Sequence, residues 1–350
     1  MAANSSEPKK NLKIRYFGLM GAVVLGIAGW SGAWAYGRTV LAGELEAQIG
    51  HLADGGLHIQ CADQAISGFP FRYEVRCSRL SAATPLGATA ELGTVQAVAL
   101  VYNPRHIIFE SMGPADLRSP LTGESLTGQW QLARSSVKFS DNSVDQIDAI
   151  IEGPELALAS PARELSVKAE KLGLHTRIVE TSPGDAEIFL SADAVTSGES
   201  PEGLPPAGFR LHLRIPDGAG LMAGQPFVDL LRNADGGLPV ELVLASLDAE
   251  PSRLEISGAL ILQPDGHLSG TLTVKVREIE ALARYAGLFL PPDSALPRTL
   301  DSIARSLAQA ARASDPDVGE VELPVVISNG SVRAGFLPLG QIPPVFPAGY

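Results

Sequence analysis

The sequence is poor in the residues on which catalysis and metal binding are usually built. It has two cysteines in 350 residues, six histidines spread along its length, and 6% aromatic residues. Two cysteines do not complete a tetrahedral zinc site. His51 and His58 are nearest to them in sequence, but a change from helical to strand period separates that pair. The cysteines are also too far apart for the Cys-x-x-Cys arrangement of a redox pair. No Gly-x-Ser-x-Gly, no Ser-x-x-Lys with partners and no His-Glu-x-x-His is present. No glycine loop opens a helix in a way that would cradle phosphate. His175 and His212 stand at polar-face positions of strand patterns and read as solvated. The expectation is a protein that is not an enzyme and holds neither metal nor cofactor.

Positive charge is scarce too. Lys and Arg number 27 against 39 Asp and Glu, a net charge of −12, with no basic cluster beyond the N-terminus. That distribution excludes nucleic acid as a partner. Beyond residue 36 no apolar stretch is long enough to span a bilayer.

What is present begins at the N-terminus. Lys9, Lys10, Lys13 and Arg15 precede YFGLMGAVVLGIAGWSGAWAY, Tyr16 to Tyr36, which contains no charged residue. As a helix, this run covers roughly the 30 Å of a hydrocarbon core. Trp30, Trp34 and Tyr36 then fall where aromatic anchors sit, and the basic flank stays cytoplasmic. A cleaved signal peptide is the rival reading, because Ala33-Trp34-Ala35 resembles a cleavage site. Either way the bulk is exported. The division expected is a basic tail at 1–15, an anchor at 16–36, a linker helix at 37–56 and a β-rich domain at 57–350. A Pro/Gly-rich patch at 197–208 offers a point of subdivision.

In that domain the apolar period becomes two. FRYEVRC sets Phe71, Tyr73, Val75 and Cys77 against Arg72, Glu74 and Arg76. Similar runs follow around 86–101, 105–111, 126–139, 144–151, 164–174, 185–191, 209–215 and 238–249. The clearest unit is 253–278. Leu254, Ile256, Gly258, Leu260 and Leu262 share one face, PDG turns the chain, and Leu268, Gly270, Leu272, Val274 and Val276 continue the parity. A second hairpin turns at Asn329-Gly330, and helical periodicity marks 279–290 and 299–313. The fold class is mainly β with a few helices: an anchor helix followed by an extended, curved antiparallel sheet with an apolar concave face.

In an exported chain the default for Cys61 and Cys77 is a structural disulfide. Between them lies the loop Gly68-Phe69-Pro70-Phe71, which has two readings. Phe69, Pro70 and Phe71 form an exposed aromatic lip facing ligand or membrane, or Phe71 and Tyr73 are core and Phe69 packs over the bend.

The basic-then-apolar N-terminus, Cys-x7-Gly-Phe-Pro-Phe-x5-Cys from Cys61 to Cys77, LQPDGHLSG and NGSVRAGFLPLGQIPP together resemble a family of Gram-negative bacteria, domain of unknown function 2125. The resemblance implies a single-pass inner-membrane protein whose bulk is periplasmic, and it supplies no activity. The architecture is also similar to the AsmA-like envelope proteins, an analogy that points to lipids. Two functional expectations follow. The first is binding or conveying of lipid, or a part in envelope assembly, through an apolar sheet face left uncovered. The second is an interaction module that docks another envelope protein through its sheet edge or the 279–311 helices.

Overall fold

The computed structural model describes residues 12–141, 143–161, 164–198, 205–277 and 320–346. The helical stretches expected at 279–290 and 299–313 lie outside them. The chain opens with one uninterrupted helix, α1 (Leu12–Asp54). Anchor and linker helix are thus one rod, about 64 Å long at 1.5 Å per residue. The sequence changes from wholly apolar to amphipathic at Tyr36, but the helix runs on through Gly37 and no Pro stops it there.

Strands then come as long antiparallel arms, each broken once near its middle. They are β1 (His58–Ala62) with β2 (Ala65–Ser67), and β3 (Arg72–Cys77) with β4 (Arg79–Ala83). Next are β5 (Thr89–Leu92) with β6 (Val95–Leu100), and β7 (Asn103–Ser111) with β8 (Ala115–Ser119). The pattern repeats through β9 (Glu124–Gln129) with β10 (Leu132–Phe139), β11 (Val144–Glu152) with β12 (Glu155–Ala159), and β13 (Glu164–Lys168) with β14 (Lys171–Val179). The runs read in sequence as single strands at 86–101, 126–139 and 164–174 are therefore broken arms.

The breaks line up as a crease that divides one antiparallel sheet into two panels. The short panel runs β1-β4-β5-β8-β9-β12-β13. The long panel runs β2-β3-β6-β7-β10-β11-β14. It continues through β15 (Ser182–Ser197), β16 (Ala207–Ile215), β17 (Leu238–Ala249), β18 (Ser252–Leu262), β19 (Leu268–Arg277), β20 (Glu320–Ser328), β21 (Ser331–Ala334) and β22 (Leu337–Gln341). β15 pairs directly with β16, so the sheet passes without a break beside the Pro/Gly-rich patch.

Backbone hydrogen bonds persist through the crease. Gly93 N–H donates to the Pro114 carbonyl at 2.8 Å, Gln131 to Glu152 at 3.0 Å and Gly153 to Glu170 at 2.9 Å. The arms can therefore bend without orphaning backbone groups. Asp63, Gly153 and Ala194 adopt positive φ at the bend. At Gly93 a Cβ would come within 2.6 Å of the Met112 carbonyl oxygen, so only glycine permits the close approach of the neighbouring arm.

The 253–278 hairpin has the register its alternation predicts, with Leu254 opposite Val276, Ile256 opposite Val274 and Leu262 opposite Leu268. Two short helices, α2 (Ala219–Met222) and α3 (Phe227–Asn233), join β16 to β17. They cap that end of the sheet, where Ile215, Leu231, Leu238 and Leu262 form a buried cluster. A second cluster of Leu242, Leu272, Val325 and Ile327 is packed by Val332, Ala334 and Leu339 from the last hairpin.

Candidate functional site

Residues directly opposite in a sheet share a face, so register identifies what each face carries. In the long panel one row begins Val75–Ala97–Phe109 and, after Ser135, continues Ala149–Leu174–Leu190–Leu211–Ala245–Ile256 and then Val274–Leu323. The next row includes Cys77, Val95, Ile151, Leu172, Phe209 and Leu247. A third starts at Tyr73 and runs through Ala99, Ile107, Val137 and Ile147. The short panel repeats the pattern, with Ile59–Ala82–Ala90–Leu117–Leu126–Leu158 in one row and Cys61–Leu80–Leu92–Ala115 in the next.

The cysteines define the sense of the bend. The first hairpin keeps one register on both sides of its break: Ala62 opposes Arg79, and Ala65 opposes Arg76. On an unbent ladder Cys61 and Cys77 would then be roughly 11 Å apart. Their Cα atoms are 5.2 Å apart, and the sulfurs are bonded. The crease brings together the two panel faces on which the cysteines stand. Since each occupies an apolar row, the apolar faces of the two panels lie inside the bend. The disulfide expected from sequence is present, and it fastens the crease at its first hairpin.

On the inner face six strands, β11 and β14 to β18, line a cavity of about 730 Å³ whose walls are Ala149, Ile151, Leu174, Leu190, Phe209, Leu247 and their neighbours. The size is that of a small-molecule or cofactor site. At about 4.8 Å per strand the groove is roughly 24 Å long, more than the ~15 Å that one acyl chain spans in a leaflet. A smaller cavity of about 360 Å³ lies on the short panel against Leu117, Leu126 and Leu158.

The strand edge nearest the helix carries the second feature. Trp30 Nε1–H donates to the Pro70 carbonyl at 2.8 Å, and Trp34 Nε1–H to the Arg72 carbonyl at 3.0 Å. The Trp34 ring stacks on Tyr73 at 5.6 Å and meets Phe69 edge-on at 5.4 Å, while Trp30 lies 6.5 Å from Phe71. Tyr73 O–H donates back to the Trp34 carbonyl at 3.3 Å. Gly37 is what lets that phenol approach, since a Cβ there would overlap the hydroxyl. Tyr73 is half-buried in this knot, whereas Phe69 and Phe71 remain 54% and 61% exposed. The loop is therefore an exposed aromatic lip: Phe71 is not core, because the turn carries it past the last inward-facing position.

A family model described as "Uncharacterized protein conserved in bacteria (DUF2125)" matches residues 34–343. The chain belongs to this family. No curated protein and no solved structure matches it. The DUF2125 match opens at Trp34, the residue stacked on Tyr73, so it takes in every aromatic residue of the knot but Trp30, and all the described strands.

The outer face of this DUF2125 chain is charged. Arg134 pairs with Glu110 at 2.8 Å, Arg177 with Glu187 at 2.7 Å and Arg214 with Asp185 at 2.7 Å. The guanidinium of Arg214 and the Asp217 N–H hold the Asp185 carboxyl below the usual carboxylate range. His175 Nδ1 is 2.7 Å from Asp148 Oδ1, and His106 Nε2 is 2.7 Å from Ser136 Oγ. In a hydrolytic triad a single imidazole bridges carboxylate and hydroxyl. Here the histidine that meets the carboxylate is not the one that meets the serine. Among the described residues, no group of three or more His, Cys, Asp or Glu gathers where it could hold a metal ion.

Proposed function

We propose that this protein is an inner-membrane-anchored, periplasmic binder of lipid acyl chains, holding or conveying them along the inner face of its sheet. The observation that carries the reading is the continuity of the apolar rows. They begin at Tyr73 and Val75, beside the anchor helix, and cross the long panel to the six-strand groove. An apolar face of this extent, with ion pairs such as Arg134–Glu110 and Arg177–Glu187 on the opposite side, is unfavourable in water unless something covers it. The groove presents aliphatic walls, a preference for hydrocarbon over polar ligands.

The anchor stays attached in this reading. Cleavage after Ala35 would remove Trp30 and Trp34 and strip Tyr73, Pro70 and Arg72 of their partners. The disulfide agrees with an oxidising compartment, and the basic flank at Lys9 to Arg15 with a cytoplasmic N-terminus.

The test is a photo-crosslinking amino acid placed at Leu190 on the inner face and at His175 on the outer face of the membrane-extracted full chain. Mass spectrometry should find lipid adducts at position 190 and none at 175. Absence of lipid from both positions, or equal labelling at both, overturns the reading.

A further inference from the structure

The loop between β2 and β3 sits at a level fixed by the N-terminal helix, against Trp30 and Trp34. Trp30 lies six residues before Tyr36, about 9 Å deeper along a helix rising 1.5 Å per residue. Its indole is bonded to Pro70 and its ring packs on Phe71. Wherever Trp30 is held by the bilayer, Pro70 and Phe71 are held at the same depth.

The loop has the surface for that place. Phe69 and Phe71 expose 54% and 61% of themselves even with the two tryptophans against them. The adjacent turn, linked through the Val101 N–H to the Phe71 carbonyl at 2.9 Å, presents Tyr102 at 73% exposure. Arg72, paired with Glu74, stands just behind the aromatic tip, where the phosphate layer would be. The next turns at this end of the long panel are polar instead. Ser140, Asp141 and Ser143 form one, with Asp141 bound to Arg105, and Glu180, Thr181 and Ser182 form the other. Of these four turns, the two beside the anchor carry exposed aromatic tips and the next two carry none among their described residues.

We infer that the Gly68–Arg72 loop, with the Tyr102 turn, is a membrane-dipping wedge. Its partner is the interfacial zone of the phospholipid leaflet from which the anchor emerges. Phe69 and Phe71 enter the headgroup–acyl boundary, and the wedge sets the first strand of the apolar face, at Tyr73 and Val75, against the lipid. The inference rests on the retained anchor of the proposed reading and is independent of what occupies the groove.

The test uses the full chain in vesicles of phosphatidylethanolamine and phosphatidylglycerol. Nitroxide labels go on Phe71→Cys, Tyr102→Cys and, as an exposed control at a short-panel turn, Leu121→Cys. Cys61 and Cys77 are disulfide-bonded, so the introduced thiol is the one labelled. Collisions with oxygen and with a water-soluble nickel chelate are compared. The labels at 71 and 102 should favour oxygen, at a depth of about 5–10 Å below the phosphates, while the label at 121 favours nickel. Tyr102→Cys touches neither tryptophan, so it decides the matter if Phe71→Cys disturbs the knot. Equal access of nickel to 102 and 121 overturns the wedge. Because this readout does not involve groove lipid, it fails separately from the crosslinking experiment.

Discussion

The two halves of the long panel use the same alternation of apolar and polar residues and arrive at different states. Beyond Val179 parts of the inner face close into a core, under α2 and α3 and beside the last hairpin: Leu238 is 2% exposed and Ile327 3%. Before Val179, among the described residues, burial of apolar side chains to that degree is confined to Cys77, Ala115 and Pro154. All three stand at the crease. A single layer cannot bury its own face and needs a second layer packed on it. In the C-terminal half α2, α3 and the β21–β22 hairpin supply that layer. Before Val179 the rows are left half-buried, with Phe109 at 39% exposure, and an open stretch reaches into the C-terminal half at the groove, with Leu190 at 40%. Alternation therefore specifies which face is apolar, while closure depends on what folds back over it.

That contrast can be broken at several points. The largest loss should come in the closed half. Leu238→Ala leaves a cavity in the helix-capped cluster and should cost about 3–4 kcal/mol in denaturant unfolding of the full chain. Removing the staple with Cys61→Ser and Cys77→Ser should cost roughly 3 kcal/mol on the chain-entropy model for a loop of this size. The loss should appear as early protease cleavage near the first hairpins, with the C-terminal core still protected. If both halves become sensitive together, the two are one cooperative unit and the contrast is only one of burial.

An open-face change should do little to stability and much to binding. Leu190→Ser should shift unfolding by less than about 1 kcal/mol while abolishing lipid adducts at neighbouring groove positions. A loss comparable to that of Leu238→Ala would mean that the groove is core after all. The smallest effect belongs to the outer face. The depressed Asp185 pKa stabilises the folded state above the ordinary carboxylate value of 3.8, and this contribution disappears as pH falls through the folded-state value. Asp185→Asn should therefore lower the melting temperature slightly near neutrality. The gap from the parent protein should close at acid pH, read by thermal melts across the range.

Much of the fold was legible because hairpins and alternation are local. The PDG turn and the parity on either side of it announced a hairpin with one apolar face, and the register agrees. The crease was not legible. Its hydrogen bonds run on through the bend, so runs such as 126–139 read as single strands. α2 and α3 were too short for a helical period to register. The lip was readable as a candidate, but its setting was not. The knot joins Trp30 and Trp34 to residues thirty-eight to forty positions away, and no spacing rule links a membrane helix to a strand turn.

By itself the sequence determined the long apolar N-terminal helix, the disulfide partners and the two-faced strands, since each follows from local composition, charge or period. Tertiary structure alone decided that the panels fold with their apolar faces inward, where that face closes and where it stays open, and that the aromatic loop is pinned against the N-terminal helix. Those outcomes depend on contacts between segments far apart in the chain, where the free energy lies in packing and register rather than in any residue's own preference.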